Sequence, residues 1–239
     1  FYHPAVPTIS LVHDVQFLAY PEFFTLEENA IYDHAFREAC RYADCIASVS
    51  DFTRSAVLEN SELKAAQVVT IHTQSASRLK PSPHDDEIPP TYFGMPSTPF
   101  LLYPANYWLH KNHEMLFTAF SLYRSRNPQS NLKIVLTGAK SERQNLLIEI
   151  TQRMGLSEHI IFVGYLADDD FATLMQKCEA VIFPTLYEGF GMPLLEAMRL
   201  GKPVLCSDTS SLPEVAGEAA LYFDPRKPDE IAKAIERIT

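Results

Sequence analysis

From Phe100 onward the chain repeats one pattern: a short apolar run, a polar turn, then an amphipathic stretch. The apolar runs lie near Phe100–Tyr103, Lys133–Thr137, Ile160–Phe162, Ala180–Phe183, Val204–Cys206 and Ala220–Phe223. Helical spacing follows near His113–Ser125, Ser141–Met154, Asp168–Cys178, Pro193–Leu200 and Pro228–Ile238. Strands that alternate with helices pair in parallel through crossovers, so the pattern predicts a doubly wound α/β sheet. Ligands of such a sheet sit outside the carboxyl ends of its strands. Asn106, Lys111, Gly164, Glu188 and Ser207 each follow a strand and fall on that edge.

A shorter series of the same kind precedes it. Pro7–Val12 reads as a buried strand ending at His13-Asp14, and Leu26–Ala43 as an amphipathic helix with Ile31, Ala35, Phe36 and Ala39 on its apolar side. Cys45–Val49 is a strand, Ser50 or Asp51 caps a helix through Leu58, and Gln67–Ile71 is another strand. Between Ser75 and Pro99 the pattern stops, and five of the residues from Pro81 to Pro96 are proline. This predicts a domain over residues 1–80, a linker over 81–98 and a second domain over 99–239.

Bulk properties narrow the function classes. A net charge of −10 argues against nucleic acid or a broad anionic membrane surface as partner. No apolar run approaches the roughly 20 residues of a membrane span, and no signal peptide opens the sequence. Cys40, Cys45, Cys178 and Cys206 are scattered without metal-ligand spacing, as expected of reduced thiols in a cytoplasmic chain. No histidine–carboxylate cluster shows metal spacing, so no metal and no cofactor are expected.

The richest chemistry lies in Glu188-Gly-Phe-Gly-Met-Pro-Leu-Leu-Glu196, directly after the Ala180–Phe183 run. It reads as a strand, a turn with Gly189, Phe190 and Gly191, and a helix whose first turn carries Pro193. The first-turn amides around Gly191, Met192, Leu194 and Leu195, with the positive end of the helix dipole, suit a phosphate. Glu188 and Glu196 frame that site, about 5–6 Å apart along the helix axis. Carboxylates repel phosphate and accept from hydroxyls. A phosphate with hydroxyls at both ends describes a nucleotide-sugar.

These two glutamates, the intervening Gly-Phe-Gly-Met-Pro and the following Ala-Met-Arg-Leu-Gly-Lys-Pro-Val204 resemble the group 1 (family 4) retaining glycosyltransferases. The resemblance continues in Tyr103-Pro-Ala-Asn-Tyr-Trp-Leu-His-Lys-Asn-His113, Phe162-Val-Gly-Tyr-Leu166 and Ser210-Ser-Leu-Pro-Glu-Val-Ala-Gly217. Upstream, His13-Asp14 and Ser48-Val-Ser-Asp-Phe-Thr-Arg54 also fit, so it covers nearly the whole chain. It implies the GT-B fold: two Rossmann-like, doubly wound parallel-sheet domains facing a cleft that holds the active site. Members of that family are considerably longer. The N-terminal domain is therefore expected to be truncated here, lacking a glycine-rich turn toward the donor phosphates, and activity is read as that of the longer protein.

The resemblance implies specific roles. Lys111 would contact the donor diphosphate and neutralise it as it leaves. Many members carry an arginine a few residues earlier, where this chain has Asn106. Glu188 would touch the sugar as a positioning group in a front-face mechanism, with a covalent nucleophile as the minority alternative, and Glu196 would hold the ribose. Gly164 and Tyr165 would lie beside the base, or form a plain strand-to-helix turn. His13 would serve the acceptor side as a base, or be structural. The donor would be GDP-mannose, slightly favoured over UDP-glucose. The acceptor would be a sugar or lipid-linked sugar in polysaccharide or glycoconjugate synthesis, and docking at the inner face of the membrane is left open. The competing readings are a nucleotide-sugar epimerase on the same fold and a non-catalytic nucleotide-sugar-binding fragment.

Overall fold

The computed structural model describes residues 6–74 and 97–238; the expected linker lies outside them as far as residue 96. Their contacts separate into two compact units. The first takes in the chain as far as Gln74 together with Tyr187–Gly191 and Ser210–Val215, and the second takes in the remainder.

In the first unit, strands β1 (Ile9–Val12), β2 (Cys45–Ser48) and β3 (Val68–Thr70) pair in parallel in that order, with Leu11, Ala47 and Val69 in register. Helices α1 (Gln16–Ala19), α2 (Leu26–Tyr42) and α3 (Asp51–Glu59) form the connections. Val12, Ile46 and Val68 point to one face, where they join Phe17, Phe36, Ala39 and Val57 in a buried cluster. Ile9, Leu11 and Val69, one residue out of phase, stand exposed. The α2 start is a capping box: the Glu28 amide donates to Thr25 Oγ1 at 3.2 Å and the Thr25 amide to Glu28 Oε2 at 2.8 Å. Helix α3 is capped by Ser50, whose Oγ accepts from the Thr53 amide at 3.0 Å. Helix α1 was not expected. Four residues are too few to show a 3.6-residue period, and an Asp14 carboxylate at 3.1 Å from the Gln16 amide starts its turn.

The second unit holds, among the described residues, six parallel strands: β4 (Phe100–Pro104), β5 (Lys133–Thr137), β6 (Ile160–Gly164), β7 (Ala180–Phe183), β8 (Val204–Ser207) and β9 (Ala220–Phe223). Their order is β6-β5-β4-β7-β8-β9. Helices α4 (His113–Arg126), α5 (Glu142–Arg153), α6 (Asp168–Lys177), α7 (Met192–Arg199) and α9 (Pro228–Glu236) connect or cover them, and the short α8 (Leu212–Ala216) starts in the first unit's segment. Every residue of β4 is buried, as a central strand covered on both faces requires. Helices α4 and α9 pack together, and Arg126 pairs with Asp229 and Glu236 across them. The doubly wound parallel sheet read from the sequence is therefore present, strand for strand.

His113, the first residue of α4, is 1% exposed among aromatic rings, its centroid 4.9 Å from that of Tyr103 and 5.4 Å from that of Tyr107. Burial, reinforced by the nearby charges of Arg143, Lys111 and His110, pushes its pKa down to about 3. An unfolded chain takes up this proton near pH 6.5 and the folded one does not, so stability is complete above that value and is lost as pH falls toward 3. The unfolding free energy of the chain, read from urea titrations, is expected to fall between pH 7 and pH 5, by up to about 1.4 kcal/mol per pH unit for this group. His113→Phe, which keeps a ring in place, should reduce that slope by this group's share and leave the share of the similarly depressed His110; an unchanged slope would show that His113 titrates normally.

Candidate functional site

Strand β4 pairs with β5 on one side and β7 on the other, and the winding reverses between them. A reversal of this kind leaves a crevice at the carboxyl ends of the two central strands. Here it is a concavity of about 230 Å³. Pro104, Ala105 and Asn106 line it from the end of β4, Thr137 and Gly138 from β5, and Tyr165 and Leu166 from beyond β6. Asp168 and Phe171 on α6 and Pro193 and Glu196 on α7 complete the wall.

The strand ends are tied to one another. The Gly138 amide donates to the Gly164 carbonyl at 3.0 Å, and the Ala139 amide to Asn106 Oδ1 at 3.0 Å. Gly138 has φ +141°, and a Cβ there would stand 2.6 Å from the Ala105 carbonyl oxygen. Only glycine permits that approach. Asn106, near the place where many members of the resembling family carry an arginine, therefore holds the β5 loop. Gly164, at φ +81°, is required for its conformation rather than for space.

Helix α7 begins at Met192, and its Pro193 and Glu196 line this concavity. Pro193 has no amide hydrogen, which leaves Met192, Leu194 and Leu195 as the N–H donors of that turn. Leu194 is fully buried and offers its backbone alone. Glu196 is 2% exposed, and its carboxylate belongs to the wall of the concavity. Tyr165 is 79% exposed beside it.

Lys111 closes the short turn Leu109–Lys111, with its Nζ 5.3 Å from the centroid of the Phe183 ring. The Tyr103 hydroxyl donates to its carbonyl. The preceding His110 carbonyl accepts from the Leu186 amide at 2.7 Å and from Thr185 Oγ1 at 3.0 Å. His110 is held neutral by burial first and Lys111 second, with a pKa near about 3. The turn's charge is thus that of Lys111.

The remaining expected residues belong to the first unit. Glu188 is half-buried; its amide donates to Ser210 Oγ at 3.0 Å, and its carbonyl accepts from Ser211 Oγ at 2.9 Å. The Gly189 carbonyl accepts from Ser50 Oγ at 2.7 Å and Thr53 Oγ1 at 3.2 Å. A Cβ on Gly189 would fall 1.9 Å from the His13 carbonyl oxygen, so this glycine lets the His13 main chain lie against the turn. Phe190 is nearly buried, with its ring centroid 6.2 Å from that of His72. Gly191 completes the turn at φ +93°. The structure therefore groups His13 with Glu188, Gly189 and Phe190, and separately groups Asn106, Tyr165, Pro193 and Glu196.

Sequence reasoning assigned no role to Ser210 or Ser211, and to Ser50 only that of a candidate helix cap. Each lies within a quoted motif, but its partner is 22 to 139 residues away, and a long-range hydroxyl bond leaves no periodic trace. Among the described residues, Asp51, His72 and Glu214 bring three ligand-type groups within 4.8 Å of one another. Glu214 is occupied there by the amides of Asp51 (2.7 Å) and Phe52 (2.9 Å) and by His72 Nε2 (2.7 Å). It acts as a cap for α3.

Comparison with known proteins is consistent along the chain. The O-antigen chain mannosyltransferase B of Escherichia coli is 29% identical over 238 residues, which are 98% of this chain and 61% of that protein. The serotype-specific mannosyltransferase WbdA of Escherichia coli is 30% identical over 235 residues, 96% of this chain and 29% of WbdA. The crystal structure of Anabaena HepE in complex with UDP and glucose superposes with a TM-score of 0.80 at 22% identity, covering 97% of this chain and 61% of HepE. The chain thus has the GT-B-type fold and spans about three fifths of the length of the first of these relatives. Residues 93–239 match the family model of the group 1 glycosyl transferases, and the chain belongs to that family.

Proposed function

We propose that this chain carries the nucleotide-sugar-binding part of a retaining hexosyltransferase, which moves mannose from GDP-mannose to a hydroxyl of a sugar or lipid-linked sugar acceptor. The observation that carries the reading is the crevice at the β4/β7 reversal, where the opening turn of α7 and the buried Glu196 share one wall with Asn106 and Tyr165. Unpaired amides at a helix start favour an anion, and a carboxylate one turn along favours the hydroxyls of a ribose. The Tyr165 backbone meets the base, and Lys111 neutralises the diphosphate as the glycosidic bond breaks.

On this reading Glu188 orients the sugar and stabilises positive charge developing at its anomeric carbon. The departing phosphate helps to deprotonate the acceptor, and His13 serves the acceptor hydroxyl. Mannose is favoured because two of the similar proteins are named mannosyltransferases, while the UDP and glucose bound by HepE support UDP-glucose as the alternative donor. No metal takes part, and the product enters a polysaccharide or glycoconjugate on the cytoplasmic side, at or near the inner face of the membrane. No helix among the described residues is long and apolar enough to cross it.

Calorimetric titration with GDP, UDP, GDP-mannose and UDP-glucose tests the donor assignment. GDP and GDP-mannose are expected to bind at least about tenfold more tightly than the uridine pair, a difference of about 1.4 kcal/mol. The reverse order assigns UDP-glucose, and no binding of any of the four removes the nucleotide-sugar reading. In the complete protein, Glu188→Gln should lower kcat by about a hundredfold or more with nucleotide affinity kept; unchanged turnover takes the residue out of the mechanism. Incubation with EDTA should leave transfer unaltered, and a marked drop would refute the metal-free reading.

A further inference from the structure

We infer that Asn112 is a positioning residue for the diphosphate, acting through Lys111; this rests on Lys111 being the diphosphate contact. Asn112 stands at the N-cap of α4 in an unusual way. An N-cap residue is ordinarily extended, and its side chain accepts from an amide of the first turn. Asn112 is left-handed instead, at φ 60° and ψ 36°, and its side chain makes no capping bond. It is one of the two non-glycine residues with positive φ among the described residues. Asparagine tolerates that region better than most residues, but the conformation still carries strain.

The side chain is committed elsewhere. Its Nδ2 donates to the Pro184 carbonyl at 3.0 Å and to the Pro225 carbonyl at 2.8 Å. Pro184 follows β7 directly and Pro225 lies just past β9, so one amide group bridges the carboxyl ends of two strands that are not neighbours in the sheet. Both partners are carbonyls, so the position needs a group with two donor hydrogens and no negative charge.

This bridge governs the residue before it. Lys111 is bonded to Asn112 through the peptide link, and its Nζ lies 5.3 Å from the centroid of the Phe183 ring, whose own residue precedes Pro184. The amide fork therefore fixes Lys111 against the end of β7 from one side. The His110 carbonyl, bonded to Thr185 and Leu186, fixes it from the other. A lysine is a point charge on a flexible stem, and its value to a diphosphate depends on where the stem is rooted. The left-handed kink at Asn112 lets the turn that carries Lys111 and the axis of α4 take different directions while both stay anchored to the sheet.

Two substitutions separate the conformation from the bonds. Asn112→Gly keeps the left-handed backbone and removes the fork. Asn112→Asp keeps shape and conformational tolerance but sets a carboxylate against two carbonyl oxygens. Affinity for GDP and for guanosine would be measured by calorimetry for both variants, for Lys111→Ala, and for Lys111→Ala combined with Asn112→Gly. The expected result is that Asn112→Gly loses about tenfold toward GDP and Asn112→Asp more, with guanosine affinity unchanged in each. The combined variant should lose no more than Lys111→Ala alone, because Asn112 works through the lysine. Unchanged GDP affinity in Asn112→Gly and Asn112→Asp, with Lys111→Ala still weakened, overturns the inference and leaves the reading of Lys111 intact. Equal losses for GDP and guanosine, or additive losses in the combined variant, also overturn it. A Lys111→Ala variant that binds GDP normally removes the lysine reading and this inference with it.

Discussion

The second unit depends on the placement of one strand. Strand β4 has a partner on each side and is buried over its whole length, so its backbone groups are satisfied only if β5 and β7 both pair with it. Parallel pairing on both sides requires crossovers that leave in opposite directions, given that such crossovers are right-handed. The loops at the carboxyl ends of β4 and β7 then diverge, and a hollow opens between them. The crevice lined by Asn106, Gly138, Tyr165 and Glu196 follows from the burial of five residues, Phe100 to Pro104. What the loops supply is its chemistry.

Glu196 shows how much that chemistry differs from what stability alone would choose. A carboxylate that is 2% exposed has given up most of its hydration, and burial of a charge is costly unless the surroundings compensate. Its place near the positive end of α7 supplies some compensation. An apolar side chain among Leu194, Ala197 and the buried end of β7 would cost nothing comparable. The close passage of Gly138 beneath Ala105 fits the same pattern: a residue that weakens a loop in order to bring backbone groups together.

Strand and helix positions were legible because most second-unit elements repeat a strong pattern: apolar four- and five-residue runs, then amphipathic stretches of eight or more residues. The nine-residue segment from Glu188 to Glu196 was legible as a turn and helix start for a different reason. A strand, two glycines and a first-turn proline leave few conformations, and the polar groups follow from the backbone. The one-turn α1 and the short α8 were not legible, because no period fits within four or five residues. Nor was the assignment of Glu188–Gly191 to the first unit. Gly189 reads locally as a turn residue, whereas its neighbours in space are Ser50, Thr53 and the His13 carbonyl, more than 130 residues away in sequence. Turn chemistry is written locally. The reason for a glycine that must admit a distant main chain is not.

The hydroxyl groups around Glu188 have a bearing on how a positioning acid works. A carboxylate on a flexible turn would gain little by meeting a sugar, since each hydrogen bond formed would be offset by ordering of the turn. Here the backbone is already fixed on both sides: Ser210 takes the Glu188 amide, Ser211 gives its proton to the Glu188 carbonyl, and Ser50 with Thr53 holds the next carbonyl. Four small hydroxyls commit the peptide groups of two residues, Glu188 and Gly189. Serine and threonine suit this task because a hydroxyl can donate or accept as the backbone demands. Backbone anchoring of the same kind surrounds Lys111, where carbonyls and an asparagine fork play the same part. In each unit a residue singled out by the sequence has its main chain held by hydroxyl, amide or carbonyl groups from distant segments.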